Sequence, residues 1–398
     1  MPSTLRAQTS AWFRIGANGI PAYTLVDPVP GGNSLGEIRL VQPTVMAHAG
    51  AFSNRLRLVA TLNLEGLTIP DGELALGDWG EGFMDRRHPH TYAHELVLTY
   101  AESLGRSVRA SLSAGKGFVP FGTDDPMVRP IFRYPVNHHL AQILERAVAI
   151  VGVRSGPLLV EGGLFNGDEP ERPEQWPLIS RFGDSWSARV TLLPIRQLEL
   201  QGSHAEVHSP EHRPGSGTDQ DKWSLSARWE GAVQRHPVYG LLEWARTSEA
   251  NGFFVFRSVL AEGAWTWGRS RLHYRFECTD RPEEERTLSP FRSLRPHLEN
   301  SILGETRWTI HTAGYGYQLQ PFEPVSAFPF VELSYGRIAT VEGGLFDPAS
   351  FYGKTSFWSV SIGVRLNLGM RLHRMGRYGV AQDTANAMQM PQHEQHDH

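Results

Sequence analysis

The eleven residues Asp85 to Glu95 read DRRHPHTYAHE and place three histidines, two arginines and two carboxylates close together in the chain. Imidazole nitrogens and carboxylate oxygens suit zinc or copper, and a histidine beside a carboxylate also suits acid/base chemistry. Pro89 cannot donate a hydrogen bond to a β-ladder. The stretch is therefore predicted to divide into a turn and the beginning of a strand.

Strand alternation after Pro89 predicts two environments for the histidines. It places His94 with Tyr92 on an outer apolar face and leaves His88 and His90 near the rim, where they form a candidate metal site. A rim cluster held together by hydrogen bonds explains the same residues without a metal. The sequence leaves both interpretations open.

The C-terminal residues MQMPQHEQHDH form a second and stronger metal candidate. Thioether sulfurs suit Cu(I), and imidazoles suit Cu(II) or Zn. The donors in question are Met388, Met390, His393, His396 and His398. We expect no cofactor, and weak copper or zinc binding by this tail. An unstructured, solvated tail has the same composition, so that alternative also stays open.

The elements that must position these residues are β-strands, because period-two alternation is the dominant pattern of the chain. In residues 357–368, every second residue from Trp358 to Leu368 is apolar, and the residues between them are polar or glycine. About fifteen segments show this pattern. Five are clear, at 185–193, 197–203, 222–230, 271–278 and 357–368. Ten are more ambiguous, at 37–48, 52–65, 91–104, 107–118, 144–154, 157–167, 236–247, 253–267, 305–318 and 325–341.

The distribution of residue types between the two strand faces favours a membrane barrel over a soluble all-β protein. The apolar face places Trp and Tyr near the strand ends, and the polar face carries opposite charges, as in transmembrane β-barrels. We predict an all-β fold, a single antiparallel transmembrane β-barrel of about 14–16 strands with long loops. The predicted parts are an N-terminal segment at 1–35, the barrel at 36–369 and a flexible His/Met-containing tail at 370–398.

Strand parity also predicts which charged residues face the lumen of the barrel. Acids and arginines are close to balanced among them, which argues against a strongly anion-selective pore. The connection GTDDPMVRP at 122–130 is a candidate to fold into the lumen. The predicted lumen-lining residues are Arg55, Arg57, Glu65, Glu95, Arg109, Glu161, Arg189, Glu199, Arg228, Glu230, Glu243, Glu262, Arg271, Arg275, Glu277, Glu332 and Arg365.

Composition excludes several classes of protein. A net charge of −4 argues against a nucleic-acid partner, and a single cysteine, Cys278, excludes an intrachain disulfide. The first residues, MPSTLRAQTSAW, lack the apolar core of a signal peptide, so either the protein is cytoplasmic or the chain starts near a cleavage point. The sequence shows no nucleophile elbow, P-loop or Rossmann glycine pattern, and we expect no enzymatic activity.

Four blocks of the sequence carry a resemblance to a known family. They are LVATLNLEGLTIPDG at 58–72, GEGFMDRRHPHTYAHEL at 80–96, GLFNGDEPERPEQWP at 163–177 and the stretch from Asp184 to Glu211. The chain resembles a family of uncharacterised bacterial outer-membrane-like, porin-like β-barrel proteins, often encoded near copper and heavy-metal resistance genes. In the sequence pattern of that family, an apolar residue is usual at the position of His94.

The resemblance implies a location in the outer membrane of a Gram-negative bacterium, with membrane lipid as a partner. The first function that we expect is a passive, porin-like channel for small solutes or ions, linked to metal handling. A non-conducting barrel that binds metal or a partner through rim histidines and the tail is the alternative. An outer-membrane hydrolase is a third and weaker alternative. The sequence leaves the oligomeric state open.

Overall fold

The computed structural model of the protein describes residues 11–29, 31–74, 89–170, 172–208, 218–284, 302–342 and 346–383. Sixteen strands pair in chain order, each antiparallel to its neighbours, and the last pairs with the first to close a barrel. A seventeenth, short strand, β15, pairs with β16 inside the β14–β16 hairpin. The prediction of a single antiparallel all-β barrel is confirmed.

The strands are β1 Trp12–Asp27, β2 Leu35–Ala51, β3 Leu56–Asn63, β4 Ala93–Leu104, β5 Val108–Gly117, β6 Arg146–Ser155, β7 Leu158–Phe165, β8 Ser185–Ile195, β9 Leu198–Val207, β10 Gln220–Val233, β11 His236–Glu249, β12 Phe254–Trp267, β13 Ser270–Glu284, β14 Ile302–Tyr317, β15 Leu319–Phe322, β16 Val325–Glu342 and β17 Ser356–Gly369. Short α-helices lie at α1 Glu65–Thr68, α2 His138–Ala141 and α3 Pro348–Tyr352, and residues 380–383 are also helical. Single 3-10 turns lie at Pro126–Val128, Ile179–Arg181 and Ala250–Gly252. In the described part of the chain, no helix has the length and apolar character needed to cross a membrane.

The two faces of each strand differ as the alternation predicts. In β4, Leu96, Leu98 and Tyr100 are 42%, 51% and 50% exposed, whereas Val97 and Thr99 are buried. The exposed residues form the apolar outer wall, which suits lipid, and the buried ones face the lumen. The two environments follow from the pleat, because successive side chains of a strand point to opposite faces.

The first strand corrects one predicted boundary. Residues 1–35 were set apart as an N-terminal segment, but β1 begins at Trp12 and pairs with both β2 and β17. The sequence GANGIPAY in this strand includes two glycines and Pro21, residues that are poor strand formers, and its register with β2 shifts between Asn18 and Ile20. The alternation is therefore weak there, although tertiary pairing still makes a strand.

The connections between strands alternate in length around the barrel. Those at one end, called here the short-turn end, have two to four residues in six cases: 52–55, 105–107, 156–157, 196–197, 234–235 and 268–269. The opposite, long-loop end carries the connections 64–92, 118–145 and 166–184. The beginning of β1 and the end of β17 both lie at the short-turn end.

Two segments occupy the lumen, one from each end. The lumen loop, residues 118–145, leaves β5 at the long-loop end, and the C-terminal segment, residues 370–383, follows β17 from the short-turn end. Residues 373–382 are all buried. The prediction that the chain becomes a flexible tail from residue 370 is therefore wrong for 370–383, because these residues pack against the inner wall. Residues 384–398, with all five predicted metal donors of the tail, lie outside the described residues.

Candidate functional site

The candidate site is the lumen, where the C-terminal segment enters, reverses and returns toward the short-turn end. The reversal uses Gly376 and Gly379, whose φ angles of +79° and +57° suit glycine. A side chain at Gly379 would also strike the wall, because its Cβ would lie 2.3 Å from Ser111 Oγ. The segment is thus shaped to the inner surface of β5.

An ion-pair cluster joins the C-terminal segment to the lumen loop and to the wall. Asp124 of the lumen loop accepts hydrogen bonds from Arg374 Nε at 2.6 Å, from Arg377 Nε at 3.0 Å and from Arg228 of β10. Glu199 of β9 accepts from Arg374 Nη2 at 2.9 Å and from Arg377 Nη2 at 3.2 Å. We call these five residues the Asp124 cluster.

Asp124 stays ionised inside the barrel. Its full burial alone would raise its pKa, but Arg374, Arg228 and Arg377 outweigh this and hold the pKa well below its usual range. A buried carboxylate with several guanidinium partners is satisfied, whereas the same carboxylate without them is costly. The Asp124 cluster therefore depends on the presence of both inserted segments.

Further contacts fasten the C-terminal segment along its length. The Arg189 guanidinium makes a two-point contact with Glu161, with Nε–Oε2 2.7 Å and Nη2–Oε1 2.8 Å, and it also donates to Gly376 O at 3.0 Å. The Tyr378 hydroxyl donates to Glu95 Oε1 at 2.8 Å and accepts from the backbone N–H of Phe118 at 3.1 Å. These contacts tie the segment to β4, β7 and β8.

The segment is held near the short-turn end as well. Asp383 accepts from Arg57 Nη1 at 2.6 Å and pairs with Arg109 Nη1 at 2.8 Å. Val380 N–H donates to Ser111 Oγ at 3.1 Å. The charged side chains that parity assigned to this part of the wall thus face the inserted segment.

The lumen loop is held through its backbone as well as through side chains such as Asn137, whose amide donates to Glu243 Oε1 at 2.8 Å. Glu332 of β16 accepts from Phe132 N–H at 2.6 Å, and Glu277 of β13 accepts from Val136 N–H at 2.7 Å. Arg275 Nη1 donates to the carbonyl of Arg133 at 2.6 Å. These partners lie across the lumen from β5 and β6, so the loop spans the barrel.

The two segments also share an apolar core inside the lumen, which includes Phe118, Tyr134, Met375 and Tyr378. Two small cavities remain beside the lumen loop, of about 50 Å³ next to Leu140 and about 20 Å³ next to Gln142. A drug-sized ligand needs several hundred Å³. In this conformation these two spaces hold no more than a few waters.

Most of the predicted lumen-lining residues are buried between the wall and the two segments. The fully buried ones are Glu65, Glu95, Glu161, Arg189, Glu199, Arg228, Glu243, Glu262, Arg275, Glu277 and Glu332. The half-buried ones are Arg57, Glu230, Arg271 and Arg365. Glu65 lies in α1 rather than in a wall strand. Arg109 lies inward near the short-turn end, with its side chain 44% exposed.

Two predicted placements differ from the structure. Arg55 lies in the turn 52–55 and pairs with Glu102 at 3.2 Å in solvent, so it does not line the lumen. His94 was assigned to the outer face but is fully buried on the inside. The register of β3 with β4 shifts at this point, since Thr61 faces Glu95 and Leu62 faces Ala93. A β-bulge at His94 thus turns it inward, and simple alternation fails there.

The stretch from Asp85 to Glu95 contains two other histidines, His88 and His90. His90 is buried, and its Nδ1 lies 2.8 Å from Glu65 Oε2. His88 lies outside the described residues. The structure therefore brings His90 next to His94, with ring centroids 4.7 Å apart, and does not test a pair of His88 and His90.

Sequence reasoning missed Arg374, Arg377 and Tyr378, because they follow the last strand and show no alternation. A signal did exist in RMGRYGV at 374–380, where two arginines alternate with two glycines, with four residues between this stretch and the end of β17. The partners of these arginines lie more than 170 residues away in the chain, beyond the reach of local patterns.

No protein-family model matches the chain, and no curated protein matches it. Solved structures resemble it in fold. The anion-selective porin from Comamonas acidovorans is 11% identical, covers 91% of this chain and 100% of its own, and superposes with a TM-score of 0.54. Outer-membrane-expressed OmpT of Vibrio cholerae is 11% identical over 90% of this chain and 98% of its own, with a TM-score of 0.49. The first likeness shows a shared porin-type barrel fold.

Proposed function

We propose that the protein is a passive, porin-like channel of the bacterial outer membrane for small solutes or ions, closed in this conformation by its C-terminal segment. The observation that carries the proposal is the Asp124 cluster, in which Arg374 and Arg377 hold the segment across a polar lumen. A barrel wall rich in charged residues is typical of a water-filled passage rather than of a solid core. The segment occupies the place of that water.

The contacts of the segment favour a removable closure. Arg374 and Arg377 bind through charged side chains, which water can solvate when the segment withdraws. The exposed wall would then carry three glutamates and three arginines that contact the segment or its partners, namely Glu95, Glu161, Glu199, Arg57, Arg109 and Arg189. This balanced lining gives weak charge selectivity, so we do not extend to this chain the anion selectivity named for the Comamonas porin.

The outer wall supports the proposed location and partner. Aromatic residues such as Trp265, Tyr274 and Tyr315 are 40–50% exposed on it beside aliphatic side chains. Such a surface suits outer-membrane lipid. Barrels of this membrane carry short turns on the periplasmic side. The C-terminal segment would accordingly enter from the periplasm.

A second candidate function is a non-conducting barrel that binds metal or a partner. The observation that favours it is the double filling of the lumen, because the lumen loop alone spans the barrel from β5 to β16. The link to copper or heavy-metal handling, which came from the family resemblance, belongs with this candidate. We propose no enzymatic activity for either one.

Planar-bilayer recording of the purified, folded chain tests the first proposal. We expect discrete current steps from the full chain, and a larger current when the C-terminal segment is removed. A chain ending at Arg371 provides the permanently released form. An absence of current from both folded proteins would exclude the channel and support the non-conducting barrel.

A further inference from the structure

Three metal-ligand side chains meet in the lumen outside the Asp124 cluster. His90 and His94 at the beginning of β4, and Asp125 of the lumen loop, are 3%, 0% and 0% exposed. One nitrogen of each imidazole and one carboxylate oxygen lie within 4.8 Å of one another. The three residues come from two separate parts of the chain, so the fold brings them together.

The bulge at His94 is what makes this arrangement. Without it, His94 would point to the lipid, as strand alternation predicts, and only Glu95 would face inward. With it, both residues face the lumen. A bulge weakens the ladder locally, and bulges are often found where a side chain is re-aimed for a purpose.

Each imidazole is oriented by a buried carboxylate. Glu65 Oε2 lies 2.8 Å from His90 Nδ1, and Glu145 Oε1 lies 2.9 Å from His94 Nδ1. A carboxylate on one ring nitrogen fixes the tautomer and turns the other nitrogen toward a metal. Glu145 is itself held by Thr91, whose N–H and hydroxyl donate to Oε1 at 2.9 and 2.8 Å.

Asp125 is oriented in the same way. Its Oδ1 accepts from Met127 N–H at 2.7 Å and from the Tyr134 hydroxyl at 3.0 Å. Among the described residues, its Oδ2 and His94 Nε2 are buried with no hydrogen-bond partner. Buried polar atoms rarely lack a partner, so we expect a ligand at Asp125 Oδ2 and His94 Nε2.

We propose that His90, His94 and Asp125 bind one divalent transition-metal ion, with zinc as the best fit. Two imidazoles and one carboxylate are a common zinc ligand set, and a water completes the tetrahedron. Calcium and magnesium prefer all-oxygen sites and are disfavoured. Ligands at about 2.0–2.2 Å from zinc lie roughly 3.3–3.5 Å apart, so the three side chains close in slightly on binding.

The ion would join the wall to the lumen loop. His90 lies three residues before β4 and His94 is the second residue of β4, whereas Asp125 neighbours Asp124 in the loop. Phe118 packs edge-on against His94 at 5.2 Å between ring centroids, so the site is enclosed and structural rather than open to a substrate. The proposed site does not depend on whether the barrel conducts, and metal binding alone tests it.

The experiment uses the folded barrel in detergent, stripped with chelator, in a version that ends at Asp383 and so lacks the tail histidines and methionines. Calorimetric titration with zinc, and metal analysis after gel filtration, should give one zinc per chain. Copper(II) should compete for this zinc, and magnesium should not. His94→Gln and Asp125→Asn should each remove the stoichiometric zinc.

Two further variants distinguish a specific zinc site from nonspecific zinc binding. Glu145→Gln should weaken zinc binding by about 10–100-fold, since it removes the carboxylate behind His94. His204→Gln is the matched control and should bind zinc unchanged. Its imidazole also contacts a carboxylate, Asp221 at 2.8 Å, but lies on the outer wall against Trp186 and Trp223.

Circular dichroism and electrophoretic mobility report whether each variant folds. If a variant does not fold, X-ray absorption of the zinc-loaded chain ending at Asp383 still identifies the ligands of the zinc ion. Two imidazoles in the zinc shell support the site. An absence of bound zinc in that chain, a shell without imidazole, or full zinc binding by folded His94→Gln and Asp125→Asn would overturn it.

Discussion

The lumen loop and the C-terminal segment fill the same space, but the wall binds many more backbone groups of the lumen loop. The wall carboxylates Glu277 and Glu332 accept backbone N–H groups of the lumen loop. The C-terminal segment instead reaches the wall largely with side chains, above all with Arg374 and Arg377. Carboxylate bonds to backbone N–H groups fix the course of a chain, whereas arginine side chains have long, flexible stems.

The number of bound backbone groups affects how easily each segment can leave the lumen. Withdrawal of the lumen loop would leave the buried Glu277 and Glu332 without these donors and would break the apolar core around Phe118 and Tyr134. Withdrawal of the C-terminal segment also takes Met375 and Tyr378 out of this core, but the wall that it leaves carries charged groups, which water solvates well. We therefore propose that the lumen loop belongs to the permanent barrel and that the C-terminal segment is the removable part.

The largest expected effect comes from removing each region in turn. A chain ending at Arg371 loses the C-terminal segment and should conduct several-fold more current than the full chain, with a barrel that still folds. Replacing residues 123–137 by a short glycine–serine linker removes most of the lumen loop and should prevent folding or lower stability strongly. Single-channel recording and thermal unfolding in detergent measure the two outcomes.

A chain ending at Asp383 is the matched control for the truncation. It keeps every described contact of the segment, including that of Asp383 with Arg57, and should conduct like the full chain. Equal conductance for the chains ending at Arg371 and at Asp383 would contradict the assignment of the segment as the closing element. A stable barrel without the lumen loop would contradict the assignment of this loop to the permanent barrel.

The next largest effect is expected from Asp124→Asn, because Asp124 is the point where the two regions meet. The substitution leaves Arg228, Arg374 and Arg377 buried with too little negative charge. Breaking a buried ion pair from one side costs about 3–5 kcal/mol. We expect a loss of this order in the free energy of unfolding, measured by urea titration, together with more frequent openings.

Asp221→Asn is the control for that variant. Asp221 also pairs with an arginine, Arg246 at 3.5 Å, but its side chain is 44% exposed. Exposed pairs contribute about 0–1 kcal/mol, so this variant should be nearly neutral. Equal losses in the two variants would show that the Asp124 cluster does not hold the segments together.

The sequence predicted the wall better than it predicted the contents of the lumen. Alternation located fifteen of the sixteen barrel strands and missed β1, where GANGIPAY interrupts the pattern. It could not place Arg374 or Arg377, since their partners are distant in the chain. It placed His94 on the wrong face, because a bulge depends on the register of two strands and leaves no local signature.

A smaller effect is expected from Glu332→Gln, which tests the fixed region. Glu332 accepts from Phe132 N–H at 2.6 Å and from Arg133 N–H at 3.4 Å. The amide oxygen of glutamine can keep one of these bonds, and its NH₂ group cannot accept the other. A loss of about 1–3 kcal/mol in the free energy of unfolding is expected, with little change in conductance. A large rise in conductance would show that the lumen loop moves after all.

The smallest effect is expected from Tyr378→Phe, which removes a hydroxyl group of the C-terminal segment that is hydrogen-bonded to the lumen loop. The Tyr378 hydroxyl donates to Glu95 and accepts from Phe118 N–H at the root of the lumen loop. The ring keeps its place in the shared apolar core, so the loss should be about 1 kcal/mol. If that hydroxyl couples the regions, Tyr378→Phe and Asp124→Asn should combine non-additively in unfolding and in open probability. Strict additivity would mean that the fixed loop and the removable segment act independently, each held only by its own contacts with the wall.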